Sequence, residues 1–152
     1  MEKLIRKNLK NLEKIFEKEG VVLAYLFGSA AKGKIHRFSD FDFGVLLNKK
    51  IQPDDYFDKR LKIASEIGRL LRTDYVDIII LNKAKPFLKY QVIFSGKPIF
   101  IKNRGIQILF ENQTMKEYQD TKHILKISLE AMVKRIKGGT FGQPSKIYVP
   151  RS

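Results

Sequence analysis

The chain has 152 residues, with 30 Lys plus Arg against 16 Asp plus Glu and no Cys or Trp, for a formal net charge of +14. A chain of about 150 residues buries roughly 70% of its unfolded surface around one core, which excludes two full domains. A 43% hydrophobic and 11% aromatic content excludes a disordered basic chain, and the lack of cysteine excludes disulfide scaffolds, cysteine zinc sites and thiol nucleophiles. No targeting segment is evident, and the longest apolar run, Val21 to Phe27, has seven residues, where a bilayer-spanning helix takes about 20. A soluble, cytoplasmic protein without membrane association is expected. Acids concentrate in the first half, and none falls between Ile78 and Phe110. A cluster of catalytic carboxylates must therefore come mainly from the residues before Ile78.

In chain order, Ile5, Leu9, Leu12 and Phe16 step by three and four, predicting one amphipathic helix stopped by Gly20. Val21 to Phe27 reads as a buried strand. Gly28 and Ser29 end it, with Ser29 suited to cap a short turn through Ala31, and a polar spacer follows. Asp40 to Leu47 predicts a second strand whose alternation puts Phe41 and Phe43 on one face and Asp40 and Asp42 on the other. Pro53 opens a helix to about residue 72, with Phe57, Leu61, Ala64, Ile67 and Leu71 as its inward stripe. A third strand, Tyr75 to Leu81, is apolar except for Asp77, and burial is expected for that carboxylate. Pro86 to Gly96 predicts a short helix and Lys97 to Ile101 a last strand. Thr114 and Glu117 have the spacing of a capping box, opening a long terminal helix to Gly138. Its apolar positions, among them Met115, Leu125, Leu129, Met132 and Ile136, predict a broad core stripe, or one side turned to another helix. The tail, 138–152, is rich in Gly and Pro and is expected to be flexible.

The segment Leu26 to Leu47, LFGSAAKGKIHRFSDFDFGVLL, carries the chemistry. Side chains two apart on a strand lie on one side about 6.6 Å apart, so Asp40 and Asp42 repel unless a cation lies between them. Magnesium suits carboxylates combined with substrate phosphates, and two such ions can clamp the attacking and leaving oxygens of a phosphoryl-type displacement. Gly28 lets a phosphate approach the backbone, and Ser29 adds a hydroxyl before the N–H groups of the next turn. Asp77 is the natural third carboxylate if its strand neighbours the second, and a candidate base for an incoming hydroxyl. Taken singly these residues have plainer readings, a cap for Ser29 and a solvated strand face for the aspartates. Taken together they point to a triphosphate with magnesium.

This pattern, an apolar residue, Gly28, Ser29, ten residues, then Asp40 and Asp42 alternating with apolar residues, followed by Asp77, resembles the nucleotidyltransferase superfamily of DNA polymerase beta. The run VDIIILNKAKPFLKYQVIFSGKPIFI from Val76 to Ile101 resembles more specifically the minimal nucleotidyltransferases of MntA type, antitoxins paired with HEPN-domain toxins. The resemblance implies an α/β fold class, of the α+β kind with a mixed sheet, in a polymerase-beta-like arrangement with flanking helices and a long C-terminal helix, and residues 1–137 are expected to form the nucleotidyltransferase domain. It implies Asp40, Asp42 and Asp77 as catalytic Mg2+ ligands, with Gly28 and Ser29 at the phosphates. Lys32 stands where many relatives carry Arg, keeping the charge without the bidentate fork. The resemblance further implies ATP as AMP donor, a heteromeric complex with a HEPN RNase toxin, and a tyrosine of that toxin as acceptor, its modification neutralising the toxin. The competing readings are transfer to a small molecule or an RNA end, and an antitoxin acting by direct binding. Direct nucleic-acid binding is not expected, because the basic residues lack an aromatic stacking motif.

Overall fold

The first amphipathic segment folds as two helices, α1 (Glu2–Lys7) and α2 (Leu9–Lys18), where the periodicity alone predicts one. Asn8 interrupts it: its side-chain amide donates to the Leu4 carbonyl at 2.9 Å, a local bond that competes with the helical ladder. The apolar stripe continues across the break, with Ile5, Leu12 and Phe16 buried, and Gly20 ends it at φ +79°. The computed structural model describes residues 2–28 and 41–138. The predicted Ser29 cap, the spacer through Asp40 and the tail beyond Gly138 lie outside the described residues.

Four strands follow the predicted runs closely: β1 (Val21–Phe27), β2 (Phe41–Leu47), β3 (Val76–Ile80) and β4 (Lys97–Ile101). They form one mixed sheet in the order β3-β2-β1-β4, with β1 antiparallel to β2 and β4, and β2 parallel to β3. The parallel step needs a crossover, and α3 (Tyr56–Leu71) supplies it, entered through a 3-10 turn at Pro53–Asp55. A second 3-10 turn, Leu81–Lys83, leaves β3. There Asn82 clamps the end of β2, accepting from the Leu47 N–H at 2.7 Å and donating to the Leu47 carbonyl at 2.9 Å. Next come α4 (Pro86–Ser95), closed by Gly96 as the sequence predicts, and α5 (Arg104–Lys137).

Strand alternation divides the apolar residues between two layers. Phe41, Phe43, Val45, Ile78 and Ile80 pack with Phe16, Ile63 and Ile67 beneath α2 and α3. Leu23, Tyr25, Leu81 and Val92 pack on the other side with Leu46, Ile79 and Phe110, beneath α4 and α5.

Three helical expectations need correction. On α3 the buried residues are Ile63, Ile67 and Leu71, whereas Phe57 and Leu61 are 62% and 53% exposed. At about 100° per residue, positions 57 and 61 lie roughly 120° to 160° round the helix from Ile63, too far to share its face. The terminal helix begins at Arg104, not near Thr114, because the Asn103 side chain accepts from the Gly105 N–H at 2.7 Å and caps it there. Thr114 lies inside the helix, buried, with no partner for its hydroxyl. The expected core stripe of α5 is also largely in solvent. Contacts to the domain come from its first half, through Glu111 on Tyr25, Glu117 on Lys89 at 2.7 Å, and Tyr118 stacked on Tyr90 with ring centroids 3.9 Å apart. From Gln119 onward no described residue is buried. Among the described residues no helix is long and apolar enough to cross a membrane.

Candidate active site

The site forms where β1 ends and β2 and β3 begin. Phe27, the last residue of β1, is paired with Asp42 of β2, so the chain reverses into Gly28 directly beside that carboxylate. Gly28 has φ +75°, a conformation that residues with a side chain rarely adopt, and a Cβ placed there would collide with the Asp42 carboxylate oxygen Oδ2. Two independent constraints, backbone conformation and space, thus require glycine at this turn.

The parallel pairing of β2 with β3 sets Asp42 directly opposite Asp77. Adjacent strands lie about 4.8 Å apart, and paired residues present their side chains to the same side. That side is the α4 side, because Leu46 and Ile79, in step with the two aspartates, pack there, while Phe41, Phe43 and Ile78 face α3. The strand contact on which Asp77's role depended is therefore present. Its expected burial is not: β3 is an edge strand, and the Asp77 side chain is 48% exposed. Two facing carboxylates repel and are eased by a cation.

One cation is supplied by the chain itself. Arg60 of α3 reaches round the sheet edge, with Nη2 3.1 Å from Asp77 Oδ1. Sequence reasoning missed Arg60, although a signal existed: it precedes Ile63 by three and Ile67 by seven, placing a guanidinium on the apolar stripe of α3. A bond to Oδ1 leaves Oδ2 of Asp77 as the oxygen available to a metal. Hard carboxylate donors on neighbouring strands, beside the glycine at the end of β1, suit magnesium, so the described residues fit the ion that the sequence motif implies. A cleft of about 830 Å3 at the end of α3, lined by Arg69, Arg72 and Tyr75 among others, lies on the α3 side of the sheet edge and does not belong to this constellation.

Of the predicted site residues, the structure brings together Gly28, Asp42 and Asp77. Ser29, Lys32 and Asp40 lie outside the described residues. Among the described residues no group of three His, Asp or Glu side chains gathers as a metal cage. The described part of the site is accordingly a carboxylate pair with its arginine and its glycine turn.

The family described as Polymerase beta, Nucleotidyltransferase matches residues 10–105. Protein adenylyltransferase MntA of Shewanella oneidensis is 33% identical over 119 residues, which span 77% of this chain and 73% of that protein. A solved toxin–antitoxin with AMP-PNP aligns at 27% identity and a TM-score of 0.65, over 86% of this chain and 98% of its own. A tri-AMPylated Shewanella oneidensis HEPN toxin in complex with MNT antitoxin aligns at 24% identity and a TM-score of 0.61, over 87% and 98%, a likeness of fold. The matched region runs from α2 through β4 to the start of α5 and contains every residue of the constellation, and the chain belongs to the polymerase beta nucleotidyltransferase family.

Proposed function

We propose that this chain is a protein adenylyltransferase that moves AMP from ATP to a tyrosine of a HEPN-domain toxin and thereby acts as its antitoxin, in the cytoplasm. The observation that carries the reading is the register of β2 and β3, which sets Asp42 opposite Asp77 beside the Gly28 turn in a chain similar to MntA. Residues 1–137 are taken as the nucleotidyltransferase unit.

In the proposed reaction the acceptor oxygen forms a bond to the α-phosphorus of ATP, the bond from that phosphorus to the bridging oxygen breaks, and pyrophosphate leaves. Asp40, Asp42 and Asp77 would hold Mg2+, which when bound neutralises the phosphate oxygens and the developing charge. Gly28, with Ser29 and Lys32, receives the triphosphate, the glycine by admitting phosphate to the backbone. Arg60 holds Asp77 by one oxygen. The acceptor proton goes to Asp77, the carboxylate nearest the sheet edge and open to solvent.

Incubating the chain with ATP, Mg2+ and a HEPN-domain toxin that it binds should raise that toxin's mass by one or more AMP units, and Asp42→Asn should abolish the increase. An intact chain that leaves the mass unchanged overturns the reading. The exposed half of α5 favours a second reading, neutralisation by contact, which Asp42→Asn separates: protection of cells that survives this change belongs to binding alone.

A further inference from the structure

Among the described residues, Arg72 is the one residue other than glycine at positive φ. It closes α3 at φ 55° and ψ 49°, the left-handed position at a helix end that glycine takes without strain. A basic side chain there gains from the negative end of the helix dipole, but an exposed contact of that kind returns less than the strain costs. Arg69, three residues earlier and exposed, already complements the dipole. An arginine at 72 therefore answers a demand that folding alone does not set. Its surroundings form the cleft of about 830 Å3 at the sheet edge, lined by Gly68, Arg69, Thr73, Asp74 and Tyr75 among others. Hydrogen bonds fix its wall: the Thr73 N–H donates to the Gly68 carbonyl at 3.0 Å, and the Tyr75 N–H donates to Thr73 Oγ1 at 3.1 Å. Gly68 permits this close approach, since a Cβ there would meet the Thr73 carbonyl oxygen at 2.9 Å. With its oxygen accepting from Tyr75, the Thr73 hydroxyl keeps its proton for a group in the cleft. Among the described residues neither Arg69 nor Arg72 forms an ion pair, and Arg69 meets the Ser65 hydroxyl at 3.5 Å. Asp74 is the one acid among the lining residues.

We propose that this cleft is a second nucleotide site, separate from the carboxylates, which takes a nucleoside phosphate without metal. Two guanidiniums and a hydroxyl suit a phosphate, because the arginine fork matches its oxygens. Tyr75, 45% exposed at the same cleft, offers a ring on which a base stacks. The volume is that of a small-ligand site. An acidic peptide would engage the arginines and leave the ring without a planar partner. A metal-bound triphosphate belongs at the aspartates, whereas here two guanidiniums against one acid supply the countercharge themselves. The proposal does not depend on the adenylyl-transfer reading, and binding in the absence of metal tests it alone.

The test is fluorescence anisotropy of N-methylanthraniloyl-AMP with the full chain in EDTA, competed by unlabelled AMP. Saturable binding is expected, unchanged in Asp42→Asn and weakened about tenfold in Arg69→Ala and in Arg72→Gly. Arg72→Gly should also melt at a higher temperature than the original chain, because glycine relieves the left-handed strain. A gain in Tm together with a loss of ligand is a pairing that damage to the fold does not produce. No saturable binding at millimolar AMP overturns the site, as does binding that requires Mg2+ and disappears in Asp42→Asn, which places the nucleotide at the carboxylates. Affinity retained in both arginine variants overturns it, and a lower Tm in Arg72→Gly overturns the strain argument on which it stands. Displacement by inorganic phosphate as effective as by AMP assigns the cleft to a bare anion and overturns the nucleotide, as does Tyr75→Leu binding as tightly as the original. Displacement by a uridine oligonucleotide at concentrations far below those of AMP overturns it in favour of a nucleic-acid strand.

Discussion

Gly28 and Gly20 provide a matched pair of perturbations, because both adopt positive φ, +75° and +79°, and only one touches the site. Placing alanine in this left-handed region costs about 1–2 kcal/mol at either position. For a chain of this size that lowers Tm by about 3–6 °C. The surroundings then separate the two. At Gly20 the new methyl meets Cδ1 of Ile51 at 2.6 Å, the far end of a flexible side chain that can rotate away. At Gly28 it meets Oδ2 of Asp42 and lies close to Cγ and Cβ of the same short side chain, so the carboxylate must turn from its present position to make room. Displacing a reacting group by about 1 Å costs on the order of 100-fold in rate. Gly28→Ala should therefore lose about 100-fold in AMP transfer and bind Mn2+ more weakly by electron paramagnetic resonance, while Gly20→Ala keeps both at the same loss of Tm. Transfer by Gly28→Ala within about threefold of Gly20→Ala would refute the argument that the glycine exists to make room for the carboxylate.

Arg60→Ala should change stability by less than about 1 kcal/mol, because its ion pair with Asp77 is half-exposed on both sides, yet lower AMP transfer about tenfold by releasing Asp77; thermal melts and transfer rates read the two effects separately. Tyr25 is buried and donates to Glu111 at 2.6 Å, and burial first, then that bond to a carboxylate, pushes its phenol well above its ordinary range. Below pH 10 both states hold the proton and nothing is lost. Above it the unfolded phenol ionises while the folded one does not, so stability falls with rising pH by about 1.4 kcal/mol per unit from this group. Urea denaturation between pH 9 and 11 should show a shallower fall in Tyr25→Phe than in the original chain. Asn103→Ala should cost about 1 kcal/mol by removing the cap of α5. Thr114→Val should be neutral or stabilising, since it removes a buried hydroxyl with no partner, whereas a loss in chemical denaturation equal to that of Asn103→Ala would return the cap to Thr114.

The elements that can be read from local chemistry are the ones whose signals are local. Gly20, Pro86 and Gly96 punctuate the chain through backbone conformation, and alternation in Phe41–Leu47 assigns each side chain to a face. The four strands, the short α4 and the core-facing phenylalanines are therefore legible in the amino-acid order itself. The aspartate pattern with its glycine is legible for the same reason, being a demand of charge and space within a few residues. Local signals mislead where several elements compete for one surface. A 3.6 period cannot say which stripe of α3 meets the sheet when Phe57 and Ile63 both qualify, nor that the apolar stripe of α5 meets solvent beyond Tyr118. Asn8 breaks a helix whose stripe runs straight through it. What the amino-acid order determined by itself was the inventory: a basic chain of strands and helices, with aspartates suited to magnesium and a turn suited to phosphate. The tertiary structure alone decided that Asp42 lies opposite Asp77, that Arg60 reaches the latter round the edge of the sheet, and that Asp77 is half-exposed. Register, crossover and edge position follow from contacts between residues far apart in the chain, and no local periodicity carries that information.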